Sequence, residues 1–345
     1  MQSVLKKKSL AVISALLILF VFLAYLVHSY YFRARRYEIS ALKLGTVVSI
    51  IIYAEGPIDL SSVKTRCMEK IEESEKVFSV HREDSEIARM NALAAKRSFP
   101  ASEMMQEVIR RSRKMHLRTG GAFDPSVFSL LKLWHLSDFE EEDKKGFPHD
   151  KEISALMPLL GMDKVILEKE GSVRFANESV SLDFGGIAKG LIIDGLTDML
   201  QREPHVFAGI VNIGGDLKTF ILKEDYPSFQ IGIRDPEKKE ALLGGVEVRN
   251  SSVMTSGGYE RFREYHKKKY IHILDPMTGR PVENGVLSVT VIGGNAADCD
   301  ALATALMVLG PEKAKSAIRD EKVFFVVKRH EKTDKIFLNG FELRD

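Results

Sequence analysis

Cysteine is nearly absent: Cys67 and Cys299 are the only two in 345 residues, and they lie far apart. Two cysteines cannot build a disulfide framework, and without a CxxC pair or a Cys/His cluster there is no zinc signature. Both are expected to be free thiols. Charge of one sign is lacking as well, since 50 Lys and Arg face 48 Asp and Glu for a formal net charge of +2. No basic run interleaved with aromatics is present, so nothing points to nucleic acid. From Ala41 onward there is no Pro- or Ser-rich linker, internal repeat or low-complexity tract. A G-x-S-x-G elbow and a Ser/His/Asp set are also missing.

One long apolar stretch stands out, the 18-residue run from Leu10 to Val27, with Lys6, Lys7 and Lys8 before it and Arg33, Arg35 and Arg36 after it. As a helix it would be about 27 Å long at ~1.5 Å per residue, close to a bilayer core of about 30 Å. Tyr25, Tyr30 and Tyr31 suit one interface. The run is long for a signal peptide and no small-x-small cleavage site follows it, so an uncleaved single-pass anchor is expected. Three basic residues on each side do not set its orientation. The expected division is a membrane anchor with basic flanks over 1–36 and one folded domain over 37–345.

What is present is an ordinary globular composition, 45% hydrophobic and 28% charged, with enough chain for a substantial core. Apolar and β-branched runs predict strands over 47–53, 206–213, 229–233, 245–254, 285–292 and 323–327. Helical spacing predicts helices over 60–77, capped by Asp59 or Ser61, over 102–117, from Gly185-Gly186 to about Leu200, and over 296–309 ending at Gly310. Helices and strands are grouped rather than strictly alternating, which indicates the α+β class.

Three segments could carry chemistry. Leu182 to Gly190, LDFGGIAKG, reads as a strand end, a glycine turn and a helix start. Such a turn lets backbone N–H groups approach a phosphate, with Lys189 and the helix dipole adding positive field. Taken alone, it reads more simply as a plain strand-to-helix turn. Val211 to Asp216, VNIGGD, reads most simply as a hairpin turn in which Gly supplies positive φ. In the third segment Asp300 and Thr304 are four apart, so a helix puts a carboxylate and a hydroxyl on one face. Those are hard oxygen ligands suited to magnesium, although Asp298 or Asp300 could instead cap the helix. By residue type His81, His272 and Asp124 could each do acid–base work.

In their order these segments resemble the ApbE family of FAD:protein FMN transferases. The resemblance runs from Leu44-Gly45-Thr46 through Phe78-Ser79, Ser85-Glu86-Ile87, Asn91, Gly121 to Pro125, LDFGGIAKG and VNIGGD. It continues through Gly232 to Pro236, Thr255 to Arg261, His272 to Gly279 and Asp300 to Leu306. It implies a single ApbE-like (T-fold-like) α+β domain that uses FAD as substrate and Mg²⁺ at the diphosphate. Carried over by position, Gly186, Asp300, Ala303 and Thr304 would hold the metal. Leu44, His81, Ala122, Phe123, Asp124, Asp183, Lys189, His272 and Ile273 would line the flavin site. Lys189, His272 and Asp124 would be the catalytic residues, the last two as alternative bases. The sequence departs from the family pattern at His81, where an aromatic usually stacks on the flavin, at Gly258, which replaces an acid, and at Cys299 beside Asp300.

The implied reaction moves FMN from FAD to a Ser or Thr hydroxyl on a redox protein that carries a flavinylation motif, releasing AMP. An FAD pyrophosphatase giving FMN and AMP, or a non-catalytic flavin-binding protein, would use much of the same site. The expected location is the cell inner membrane, with the catalytic domain on the periplasmic or extracytoplasmic side.

Overall fold

Apolar runs, several buried on both faces, build the centre of the molecule. In the computed structural model, which describes residues 14, 16–25, 33–137, 146–238, 240–259, 262–265, 268–330 and 332–344, eight strands form one antiparallel sheet. They are β1 (Ala34–Lys43), β2 (Thr46–Glu55), β3 (Val206–Ile213), β4 (Asp216–Ile221), β5 (Ser252–Gly257), β6 (Val286–Gly293), β7 (Lys322–Arg329) and β8 (Lys332–Leu338). Each pairs with its neighbour in chain order, β1 to β8 across the sheet. A period of two sends Val48, Ile50, Ile52 and Ala54 of β2, with Val323, Phe325 and Val327 of β7, into the main core on one face.

Helices cover that face: α1 (Leu60–Phe78), α2 (Glu86–Leu93), α3 (Glu103–Arg118), α4 (Ala188–Gln201) and α5 (Ala296–Ala314). The first four lie in the long excursion between β2 and β3. The opposite face is covered more thinly. There Leu217, Val253, Phe324 and Val326 pack on Ile233, Val246 and Val248 of a hairpin, and on Phe341. The architecture is the predicted mixture of helix and sheet, and the structure shows that the sheet is antiparallel.

Several expectations hold closely. Asp59 caps α1 by accepting from the Ser62 amide at 3.1 Å, and Ser102 caps α3 through the Met105 amide at 3.2 Å. The regular turns of α5 break at Gly310, whose φ of 67° and ψ of 173° are not helical. Both cysteines are free and buried, and burial pushes the Cys67 thiol up to about 11 and Cys299 up to about 12.

One expectation needs correction. The strand expected over 245–254 is two strands in different sheets, Leu242–Val248 and β5. Asn250, at φ 50°, turns the chain between them, a conformation asparagine tolerates. The division at 36/37 falls inside β1, where Arg35 and Arg36 pair with Ala54 and Tyr53. Among the described residues, no helix is long and apolar enough to cross a membrane. Residues 14 and 16–25 are helical and exposed. The remainder of the Leu10–Val27 run, with Tyr30, Tyr31 and Lys6 to Lys8, lies outside the described residues.

Candidate active site

The close approach of α4 and α5 begins at a glycine. A Cβ on Gly190 would lie 2.4 Å from the Ala296 carbonyl oxygen and 2.5 Å from Ala297 Cα. Without one, the helices meet closely enough for the Gly190 amide to donate to Asp300 Oδ2 at 3.1 Å. One turn further along α4, Asp194 accepts from the Ala296 and Ala297 amides at 3.1 and 3.0 Å. It also pairs with Lys218 at 2.6 Å. Asn295 caps α5 through the Asp298 amide at 2.9 Å. Capping therefore falls to Asn295 and Asp194, which leaves Asp300 free of that role.

Asp300 is buried, at 4% exposure. Burial is the main reason its acid is pushed up to about 7; Lys189 opposes the push, Asp216 adds to it, and the Gly190 amide opposes it. Lys189, at the start of α4, pairs with Asp216. Asp216 in turn accepts from the Thr255 amide at 2.8 Å. The next residue on β5, Ser256, has its hydroxyl 3.3 Å from that of Thr304. Thr304 faces the glycine turn, because a Cβ on Gly186 would lie 3.0 Å from Thr304 Oγ1 and 3.3 Å from Phe123 Cε2. The three segments singled out by sequence thus meet at one place.

The turn carrying Ala122, Phe123 and Asp124 docks against the same place, since the Asp183 amide donates to the Pro125 carbonyl at 3.1 Å. Asn91 clamps the preceding residue, accepting from the Leu182 amide at 2.8 Å and donating to its carbonyl at 2.9 Å. The Asp183 carboxylate accepts from the Gly185 amide at 2.9 Å. Asp124 is buried and well supplied with donors: Ser126 N–H at 2.9 Å, Met162 N–H at 3.3 Å and His116 Nδ1 at 3.2 Å. His116 also lies 3.1 Å from the Phe123 carbonyl. A cleft of about 270 Å³ opens between His116, Gly121, Asp124 and Met277.

The remaining expected residues lie on separate segments. Leu44 sits at the β1–β2 turn, its amide donating to Glu75 Oε1 at 3.1 Å. His81 is exposed in the turn after α1, and buried Ile273 with half-buried His272 follows the strand Lys268–Ile271. A larger cavity of about 580 Å³, between Trp134, Phe147, Tyr270 and Asn284, contains none of the expected site residues. Size alone does not mark the chemistry here. Sequence reasoning passed over Asp216, having read VNIGGD as a turn. The turn is real, with Gly214 and Gly215 at φ 65° and 101°, and the acid that follows it was the available signal.

Among the described residues no three His, Cys, Asp or Glu side chains could hold a metal ion together. The expected set is of another kind, with one carboxylate from Asp300, one hydroxyl from Thr304 and main-chain carbonyls of Gly186 and Ala303. Such hard oxygen donors match magnesium, which binds few carboxylates beside substrate phosphates. A buried carboxylate whose charge is disfavoured by desolvation is also one that a cation would stabilise. The residues fit the ion.

A glycine turn at a helix start, a lysine and a carboxylate–hydroxyl pair on one helix thus come together in this fold. The ApbE family model matches residues 44–326, and the chain belongs to the ApbE family. It is similar to the FAD:protein FMN transferase of Treponema pallidum (strain Nichols), 31% identical over 306 residues, covering 84% of this chain and 83% of that protein. Among solved structures it resembles the apo form of Pseudomonas stutzeri flavinyl transferase ApbE, with TM-score 0.78, 29% identity, and 89% and 95% of the two chains covered. It also resembles the flavin transferase ApbE from Vibrio cholerae, with TM-score 0.76, 26% identity, and 88% and 97% covered.

Proposed function

We propose that this protein is an FAD:protein FMN transferase that uses Mg²⁺ and acts on a Ser or Thr hydroxyl of an acceptor protein. The observation that carries the reading is the convergence of Gly186, Lys189, Asp300 and Thr304 at one end of the sheet. Relatives bearing that activity in their names support it across most of their length.

The acceptor oxygen forms a bond to the FMN phosphorus as the phosphorus–oxygen bond to AMP breaks. The hydroxyl proton passes to a base, and AMP leaves with the electron pair of the broken bond. Lys189 binds the diphosphate and offsets the charge that grows on the leaving group. When bound by Gly186, Asp300, Ala303 and Thr304, Mg²⁺ would supply further charge neutralisation at the diphosphate. Ala122, Phe123, Asp183, Leu44, His81 and Ile273 orient the flavin half. The base is Asp124 or His272; both Asp124 oxygens already accept hydrogen bonds. The Leu10–Val27 run supports attachment to a membrane, and the reading places this domain on the extracytoplasmic side of the inner membrane.

The test is intact-mass measurement after full-length protein in detergent meets FAD, Mg²⁺ and a redox domain carrying a Thr motif. The expected result is a gain of one FMN on the acceptor, lost with EDTA and with Asp300→Ala. Cleavage of FAD to FMN and AMP with no acceptor gaining mass would point instead to a pyrophosphatase. FAD bound and left whole with every acceptor would point to a flavin carrier.

A further inference from the structure

Asp216 is the charged residue at this site that neither the metal set nor the flavin set includes. Its position is fixed by backbone geometry. It opens β4 directly after the two-residue turn Gly214-Gly215, opposite Ile213, and the Gly215 amide donates to Asn212 Oδ1 at 2.9 Å. Its carboxylate is 3% exposed. One oxygen accepts from the Thr255 amide and the other meets the Lys189 ammonium. Lys189 is different in kind, a long side chain that stays 38% exposed. Free in solution such a chain samples many rotamers, so an ammonium that must meet a diphosphate gains from being held in advance.

We propose that Asp216 is a positioning residue that fixes the Lys189 ammonium for the diphosphate of FAD. This rests on the transferase reading of the site. The same carboxylate, through the Thr255 amide, orders the strand that brings Ser256 to Thr304, so lysine and metal ligand share one support. Asp216 does not serve by attracting substrate. Two carboxylates, Asp216 and Asp300, act electrostatically around one ammonium, and an additional anion at that place repels a diphosphate. Removing its charge therefore takes the Asp216 anchor from Lys189 and relieves a repulsion at once. The rate falls while ground-state affinity holds or improves, a separation that general loosening of the fold would not produce.

The experiment compares full-length wild type, Asp216→Asn, Lys189→Met and the double variant. It measures melting temperature, FAD affinity by fluorescence quenching, ADP affinity by calorimetry, and kcat for FMN transfer. For Asp216→Asn the expected result is a kcat lower by about 10- to 100-fold, with FAD and ADP bound within about threefold of wild type or tighter. Lys189→Met weakens ADP. The double variant is no slower than Lys189→Met by more than about threefold, because Asp216 acts through the lysine. Full multiplication of the two losses, or a wild-type kcat in Asp216→Asn, overturns the proposal. So does loss of ADP affinity in Asp216→Asn equal to that in Lys189→Met. Should Asp216→Asn not fold, Asp216→Glu keeps the charge but displaces it. Its kcat is expected to drop at least about threefold with melting retained, and a wild-type rate there overturns the idea too. If wild type itself transfers no FMN, the transferase reading fails, while the ADP arm still decides whether Asp216 acts apart from ligand binding.

Discussion

The amide of Gly190 donates to the carboxylate of Asp300 at 3.1 Å across the contact between α4 and α5. That hydrogen bond exists because Gly190 has no side chain, since a Cβ would lie 2.4 Å from the Ala296 carbonyl oxygen. The obstructing atoms are backbone and cannot swing away. Gly190→Ala therefore pushes the helices apart and weakens the donor to a buried carboxylate. Overpacking of this kind costs about 1–3 kcal/mol. Urea unfolding of the variant should show a lower midpoint, with FMN transfer lost well below the unfolding range. An unchanged midpoint would mean the helices part freely and that this contact does not set the site.

Leu44 occupies the left-handed region at φ 57°, followed by Gly45 at φ 67°. A two-residue antiparallel turn asks for positive φ at both positions, which asparagine and glycine satisfy better than leucine. Keeping Leu there costs about 1–2 kcal/mol. Leu44→Asn should thus raise stability by about 1 kcal/mol. If the side chain lies against the flavin, the same change raises KM for FAD while kcat holds. Thermal melts and initial rates over a range of FAD check both halves. A variant that is no more stable refutes the strain argument, and an unaltered KM removes Leu44 from the flavin site.

The pair His116–Asp124 predicts a dependence on pH. Hydrogen bonding to Asp124 is the main cause holding the His116 ring above its ordinary value of 6.5; burial opposes it, and the Asp163 charge adds to it. A raised histidine favours the folded state when protonated. The stabilisation is complete below about 6.5 and disappears as pH climbs through the folded value. Unfolding free energies of wild type and His116→Gln should differ most near pH 6 and converge by about pH 9. A gap that stays constant over that range would show that the ring packs there without charge.

Much of the sheet was legible because β2, β3 and β6 are apolar runs rich in β-branched residues. Edge strands were harder to read. In β1 only Ile39 is buried among ten residues, so polar side chains on both sides hide the period. The i,i+4 spacing of Asp300 and Thr304 was visible because one helix supplies both. Asp216 was not, since its partners Lys189 and Thr255 lie 27 and 39 residues away. The clamp of Asn91 on Leu182 spans 91 residues. Local patterns report elements, and long-range pairs of this sort assemble the site. The aromatic cavity around Trp134, Phe147 and Tyr270 had no local signature for the same reason.

Gly186 offers the sharpest separation of site from fold. An added Cβ would meet Thr304 Oγ1 at 3.0 Å, Thr304 Cγ2 at 3.3 Å and Phe123 Cε2 at 3.3 Å. These are side-chain atoms, able to yield by a few tenths of an ångström, so Gly186→Ala should cost no more than about 1 kcal/mol of stability. The atom that yields is nevertheless the hydroxyl assigned to the metal. Displacing it should raise the Mg²⁺ concentration for half-maximal transfer by about 10- to 100-fold, the usual effect of disturbing a ligand's support. Thr304→Ser, which keeps the hydroxyl and drops the crowded methyl, should restore part of that loss when combined with Gly186→Ala. Magnesium titrations of the three variants decide the matter. If Gly186→Ala needs no more metal than wild type, Thr304 is not a ligand and the glycine serves the flavin ring through Phe123 instead.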